Sequence, residues 1–443
     1  MINKIYTERE YLYNPSVNII FSLTIDKNIR VETLKTAIYY AVNHFEILRC
    51  RIVKDNNGEA YYMPQNTYCL PCIQVRDYHE EEQEFVCEQE KIPFLFEKGE
   101  LIRFVIELLE DSTVLRVVSH HLAGDGKSIL ILIDEIMSNL KELDEGMFSW
   151  EDKSLIPLNG FTEEFLTKKI SVSDSVKDFM GHFNENWKKE KEIFTYEQYI
   201  DVFNEYWENH NVKLADIKIG KETLKSVIHL CKENEVSINS LFIAIVLKKM
   251  KEQEKVGIVV DARTEEYNGM GNYAGSVTVD AIYDESKTIW ENTRQIHEQI
   301  HGQLGDRVQT MFPFVFKGLL DCNFQDAITF QTSGCYNSLS TKSYTDQLGY
   351  DKVNLAMTVS NLGCSNLREQ YGQFKIKDLS FSSPLIPGLN CIAGLITVGG
   401  KMTITMQYNP DCKTDYGKLL EYVGKQFTEL AYEDNFESAY LFA

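Results

Sequence analysis

The stretch Val117-Val118-Ser119-His120-His121-Leu122-Ala123-Gly124-Asp125-Gly126-Lys127-Ser128 places two adjacent histidines at the end of a β-branched run. An aspartate follows four residues after the second histidine, a glycine comes next, and Ile129 to Leu140 then has the spacing of an amphipathic helix. Candidate chemistry therefore sits where a strand gives way to a helix. A histidine there is held by the strand behind it, and the Gly124-Asp125-Gly126 turn lets a ligand approach the backbone. Imidazole ordinarily titrates near pH ~6.5, so the neutral ring can accept a proton and return it within one cycle. Asp125 has two readings: it orients the imidazole, as in a nucleophilic triad, or it pairs with an arginine elsewhere and locks the turn. The plain alternative for the histidines is a strand-end pair with ordinary hydrogen bonds.

The chain has 443 residues, more than one hydrophobic core usually supports, so two domains are expected. Its 44% hydrophobic content and 9 prolines describe a globular protein. A net charge of −21 argues against nucleic acid or an anionic membrane surface as partner. No apolar run is long enough to span a bilayer, and Met1 to Glu10 lacks the apolar region of a signal peptide, so a cytoplasmic location is expected. The ten scattered cysteines suit reduced thiols. Cys69-Leu70-Pro71-Cys72 has no second pair with which to complete a zinc site. His297-Glu298-Gln299-Ile300-His301 fits the HExxH pattern of zinc peptidases on a helix, but no glutamate occurs from 299 to 368 to serve as third ligand.

Val17 to Ile25 reads as a strand, and Val31, Leu34, Ala37, Ile38, Ala41, Val42 and Phe45 recur at helical spacing. The acidic segment Asp77 to Glu90 reads as a solvated helix face with Phe85 and Val86 turned inward. From Glu151 to about Val212 the chain is charged and aromatic without a clean strand, and reads as a connector whose Lys168, Lys169, Lys188, Lys189 and Lys191 face solvent. Val212 to Ile219 is a further expected strand, and Ser237 to Met250 a buried helix. Val256 to Arg263 is a buried strand ending in an arginine, followed by the turn Gly269 to Ser276. Val353 to Val359 is a strand leading into a turn at Ser360-Asn361-Leu362-Gly363, Ile392 to Tyr408 a hairpin about Gly399-Gly400, and Asp415 to Leu430 a terminal helix.

His120-His121-Leu122-Ala123-Gly124-Asp125-Gly126 matches HHxxxDG, and on it the chain resembles the chloramphenicol acetyltransferase-like superfamily, which includes peptide condensation domains and alcohol acetyltransferases. His44 to Ile52 is a partial match to the end of the condensation domain's first long helix, and Pro93 to Arg103 resembles the turn leading into the strand before the active-site strand, which would make Leu101 to Leu109 and Val114 to Ser119 neighbouring strands of a mixed sheet with His121 at its edge. The plant branch's DFGWG motif is absent. The resemblance implies an α/β fold of two subdomains, each a mixed sheet flanked by helices, that form a pseudo-dimer with a tunnel at their interface. The expected boundaries are 1–170 for the first, 171–211 for a connector and 212–443 for the second.

It further implies acyl transfer from a thioester to a hydroxyl or amine, with His121 as the base and neither a metal nor a bound cofactor. His120, Asp125, Gly126 and Arg263 would be structural at the site. Arg263 is the first choice of partner for Asp125, and Arg49 the second. Ser360 and Asn361 would line the substrate channel. The co-substrate would be acyl-CoA or a phosphopantetheinyl thioester, the latter on a carrier protein. The alternatives are a carrier-dependent condensation enzyme acting in trans and a non-catalytic binding module on the same fold.

Overall fold

The computed structural model describes residues 3–151, 153–250, 254–305, 307–350 and 355–441. In the first part of the chain the elements are β1 (Asn3–Lys4), β2 (Asn18–Ile25), α1 (Val31–His44), β3 (Cys50–Lys54), β4 (Ala60–Pro64), β5 (Cys72–Arg76), α2 (Glu82–Glu90), β6 (Ile102–Leu108), β7 (Thr113–His120) and α3 (Gly126–Asp144). Helices α4 (Glu163–Lys169), α5 (Asp174–Trp187) and α6 (Tyr196–Asn209) follow. The second part runs β8 (Lys213–Ile219), α7 (Lys221–Glu233), α8 (Ile238–Met250), β9 (Glu254–Asp261), β10 (Ala274–Ala281), α9 (Ile289–Leu304), α10 (Arg307–Gly318), α11 (Cys322–Thr332) and α12 (Leu339–Leu348). It closes with β11 (Leu355–Cys364), β12 (Gln370–Tyr371), β13 (Phe374–Ser382), β14 (Cys391–Val398), β15 (Lys401–Tyr408) and α13 (Tyr416–Leu441).

Two six-stranded mixed sheets result, in the orders β12-β13-β2-β7-β6-β5 and β10-β9-β11-β14-β15-β8, with a small sheet β1-β4-β3 beside them. Helices cover them: α1 packs on α3, while α7, α8, α9 and α13 share the second core with the strands of the second sheet. The charged and aromatic segment expected as a connector is helical, and its Trp187, Tyr199, Phe203 and Trp207 are buried in the first core. Lys168, Lys188 and Lys191 pair with Glu164, Glu185 and Asp321. No helix among the described residues is long and apolar enough to cross a membrane.

The structure departs from the sequence reading in four places. Strand β7 lies inside its sheet, paired along its length with β2 on one side and β6 on the other, so His121 follows the end of a central strand rather than a sheet edge. The reason is that every residue of β7 is buried, which requires neighbours on both sides. Strand β13, from the last quarter of the chain, pairs antiparallel with β2 and adds a strand to the first sheet. Its Phe374, Ile376, Leu379 and Phe381 are buried against the first core.

The strand expected at Val353 to Val359, whose first two residues lie outside the described ones, continues through Ser360 to Cys364 in place of a turn. A register shift between Asn361 and Cys364 absorbs Gly363, whose φ of +69° suits a bulge. Finally, the helix at α2 buries Phe85 and Val86 as expected, but not all of its acids face solvent. Arg116 Nη1 donates to Glu82 Oε2 at 2.7 Å, and Glu90 is fully buried.

From β13 the chain passes directly into the second sheet, and a polar seam binds the crossing. Gly394 has no side chain where Phe381 O approaches, 2.5 Å from the position a Cβ would take. Thr405 Oγ1 donates to that same carbonyl at 2.6 Å. Ser382 Oγ donates to Gln407 Oε1 at 2.9 Å, and Gln407 Nε2 donates to Glu90 Oε1 at 3.0 Å. Helix α2 of the first part is thus joined to β15 of the second.

Burial pushes the Glu90 carboxyl from 4.5 up to about 8, against the opposing hydrogen bonds of Gln407 and Asn18 and the charge of Arg103. The folded chain holds a proton that the unfolded chain releases, so the stabilisation is complete below pH 4.5 and is lost as pH rises through about 8. Glu90→Gln should flatten this loss, which urea unfolding at pH 5 and pH 8 would measure. An unaltered difference between the two pH values would contradict the assignment.

Candidate active site

Strand β7 ends at His120, and its side chain closes the backbone of the residues that follow. His120 Nδ1 accepts from Leu122 N at 3.1 Å, capping the 3-10 turn of His121 to Ala123. The proton of the neutral ring is therefore on Nε2. Phe94 and Phe96 pack edge-on against it, with centroids 5.5 and 5.7 Å away. Burial first, then the nearby His121 and the charge of Arg103, push its pKa down to about 3. His120 is a neutral structural group at any working pH.

His121 faces the other way. Its ring stacks on Tyr11 at a centroid distance of 4.1 Å and an interplanar angle of 9°. Nδ1 is buried and has no hydrogen-bond partner among the described residues, which leaves Nε2 as the nitrogen directed to the adjoining cavity. Burial lowers the pKa of this imidazole, opposed by the charges of Asp125 and Glu10 and by its own carbonyl. Two neighbouring residues of one type thus have opposite placements, because successive side chains leave the strand end in opposite directions.

The turn that follows is locked by Asp125. Gly124 has φ of +135°, and a Cβ there would lie 2.6 Å from Ser128 Cβ, so only glycine fits. Asp125 Oδ1 accepts from Ser128 N at 2.9 Å, capping α3, and from Arg263 Nη2 at 2.7 Å. Oδ2 accepts from Arg263 Nη1 at 2.8 Å and from Tyr273 N at 3.0 Å. With both oxygens so occupied, the carboxylate is not the third member of a triad. The Ser128 hydroxyl lies 3.0 Å from Asp125 Oδ1 and 2.7 Å from Gly271 O, and receives Gly271 N at 3.1 Å.

Arg263 lies over the ring of Tyr273 at 4.5 Å and also donates to Asp261 Oδ1 at 3.0 Å, while Lys127 Nζ donates to Asp261 Oδ2 at 2.9 Å. Arg49, the other arginine considered for Asp125, does not reach it. It donates to Gln65 O at 3.2 Å and lies over Tyr68, because the turn after α1 directs it to the end of β4. His44 pairs with Glu135.

A cavity of about 320 Å³ opens between the two sheets, and His121, Asp125, Gly126, Arg263, Ser360 and Asn361 all line it. A Cβ on Gly126 would come within 3.0 Å of Leu362 and 3.4 Å of Phe381, so this glycine lets β11 and β13 close on the start of α3. The Ser360 side chain is nearly buried in β11, and Asn361 Oδ1 accepts from Gly363 N at 2.8 Å within the bulge. Sequence reasoning missed Tyr11, Glu10 and Lys317, which share this cavity. They lie in a short N-terminal turn and in α10, and neither the turn nor the position on the helix signals that they converge.

The other patterns lead elsewhere. His297 Nδ1 accepts from Ser237 N at 3.2 Å at the start of α8, and among the described residues no third ligand joins the HExxH histidines. The one group among the described residues spaced to hold a metal ion is His229, Glu233 and Asp434 on α7 and α13, outside the cavity. Cys69 and Cys72 are free thiols.

Two mixed sheets flanked by helices, with an HHxxxDG turn at a cavity between them, define a fold of two chloramphenicol acetyltransferase-like halves. The condensation-domain family model matches residues 6–279, more than half of the chain, and the protein belongs to that family. Among solved structures, the first condensation domain of the CDA synthetase aligns with a TM-score of 0.64 at 12% identity, over 97% of this chain and 95% of that one. Polyketide synthase associated protein 5 from Mycobacterium tuberculosis aligns with a TM-score of 0.64 at 14% identity, over 98% and 100%. A variant of the starter condensation domain of rhizomide synthetase, in complex with C8-CoA and Leu-SNAC, gives 0.60 at 12% identity, over 97% and 94%. No curated protein matches the sequence.

Replacing Asp125 by alanine removes a cap and leaves a nearly buried guanidinium short of its main partner, which should cost about 3 kcal/mol. A thermal melt would register this as a clear drop in Tm. An unchanged Tm would mean that the pair with Arg263 holds nothing together.

Proposed function

We propose that the protein transfers an acyl group from a thioester to a hydroxyl or amine, with His121 as general base. The observation that carries this is the placement of His121: its free nitrogen faces a cavity between the two sheets, and the nearby carboxylate is committed to Arg263. The acceptor's lone pair attacks the thioester carbonyl as His121 Nε2 takes its proton. The C–S bond then breaks, and the same proton passes to the leaving thiolate. No covalent acyl-enzyme is required. Asp125, His120, Gly126 and Arg263 position the base, and Ser360 and Asn361 line the channel on β11, where the Ser360 hydroxyl can donate to the developing oxyanion. Enclosure between the sheets aligns both reactants and limits hydrolysis of the donor.

Acyl-CoA is the favoured donor. A chain of charge −21 repels an acidic carrier protein, whereas the rhizomide synthetase domain was captured with C8-CoA. Carrier-dependent condensation is the second reading, favoured by the family match and by relatives that are domains of synthetases. Release of free thiol from acyl-CoA in the presence of alcohols and amines tests the proposal.

His121→Ala should lower turnover about 100-fold or more with Tm retained, and undiminished thiol release by the folded variant would end the proposal. The base acts in its neutral form, and burial lowers its pKa, so activity should persist on the acid side of the ordinary imidazole range. With an alcohol acceptor, which does not itself titrate in this range, a plot of kcat/KM against pH should be level from neutrality upward, with its acid limb below pH ~6.5. An acid limb above that value would contradict the buried placement.

A further inference from the structure

The cavity has two chemically different walls. Leu362 of β11, Phe381 of β13, Ile386 and Leu389 of the following loop and Ile392 of β14 make one wall apolar. A second wall, built from the N-terminal turn, α10 and α11, carries Tyr6, Thr7, Glu10, Lys317 and Gln325 beside Pro313 and Phe314. On it, Lys317 Nζ donates to Glu10 Oε2, and the two side chains keep 39% and 29% of their exposure. The other charged groups of the cavity form one mutually satisfied network of Asp125, Arg263, Asp261 and Lys127. Glu10 and Lys317 stand outside it, each with only the other as side-chain hydrogen-bond partner among the described residues.

Their unused capacity is specific. Glu10 keeps one carboxylate oxygen and Lys317 two N–H donors, so the wall offers a site for a positive group beside a site for a negative one. A neutral alcohol would use neither charge, and a ligand of single charge would use one. A ligand with an ammonium and a carboxylate completes both, giving four alternating charges in a partly desolvated space where such contacts are strong. Glu10 lines the cavity with His121 and its charge acts on that imidazole, so a nitrogen held at Glu10 is on the histidine's side of the cavity.

We propose that the acceptor is a free amino acid or close zwitterionic relative, its ammonium on Glu10 and its carboxylate on Lys317, and that the product is an N-acyl amino acid. This rests on the acyl-transfer reading above. The ammonium first gives one proton to solvent by way of Glu10. The amine lone pair forms the C–N bond, His121 takes the second proton, the C–S bond breaks, and the thiolate leaves with that proton. Thioester plus ammonium gives amide, thiol and one proton released to water.

The test uses the whole chain with octanoyl-CoA and with the octanoyl thioester of N-acetylcysteamine, reading free thiol and acylated product. Acceptors are glycine, leucine, phenylalanine and aspartate, their methyl esters, and 3-methylbutanol. At least one free amino acid should have a KM about tenfold or more below that of its ester. Lys317→Met should erase that ratio by raising KM for the free acid far more than for the ester. Glu10→Gln should raise KM for both.

Melting curves establish that the variants fold. Should either fail, the paired exchange of Glu10→Lys with Lys317→Glu keeps the ion pair. It should retain zwitterion binding and lose kcat, because the amine then sits away from His121. Preference for the esters, or a ratio unmoved by Lys317→Met, would overturn the proposal. Thiol release with 3-methylbutanol alone would leave acyl transfer standing and remove the zwitterionic acceptor. Release no greater than that of His121→Ala with every acceptor would remove both.

Discussion

The fork of Arg263 on Asp125 joins groups that lie far apart in the chain. The carboxylate sits between the strand of the catalytic candidate and α3, and the guanidinium follows β9 in the other sheet. Breaking such a pair strands a charge in low dielectric, which makes it a strong constraint on how the two halves meet. It also decides the chemistry next to it. A carboxylate that already accepts from Arg263, Ser128 and Tyr273 is unavailable to an imidazole, so Asp125 does not orient His121.

The two histidines show how environment divides labour between identical groups. His120 is packed among phenylalanines with its ring nitrogen spent on a backbone amide, and burial keeps it neutral down to about pH 3. His121 keeps contact with the cavity, and nearby acids partly offset its burial. Stacking on Tyr11 fixes the plane of its ring, and the Asp125 turn fixes the backbone beneath it. The imidazole is thus positioned from both sides, by a turn near the N-terminus and by the pair that ties the sheets.

The cavity depends equally on the crossing of β13. That strand completes the first sheet, and the chain then enters the second, bringing Phe381 and the segment around Ile386 into the lining that Glu10 and Lys317 share. Gly394 permits the close passage, and the hydrogen bonds through Gln407 hold it. Apolar and charged groups therefore line one space, with the imidazole among them.

What was legible in the sequence is what depends on neighbours in the chain. The buried run before His120, the glycines around Asp125 and the helical spacing of Ile129 to Leu140 announce a strand, a tight turn and a helix, since backbone sterics and periodicity are local. The HHxxxDG residues carry the family for the same reason. The interior position of β7, the insertion of β13 beside β2 and the bulge at Ser360 to Gly363 were not legible, because strand pairing is chosen by whole-sheet burial rather than by local pattern. Nor was the gathering of Tyr11, Glu10 and Lys317 around one cavity. Sequence alone determined the HHxxxDG turn, whose geometry the chain's own neighbours impose. Only the tertiary structure decided which arginine answers Asp125 and which charges share the cavity with His121, because those contacts join residues more than a hundred positions apart and exist only once both sheets have packed.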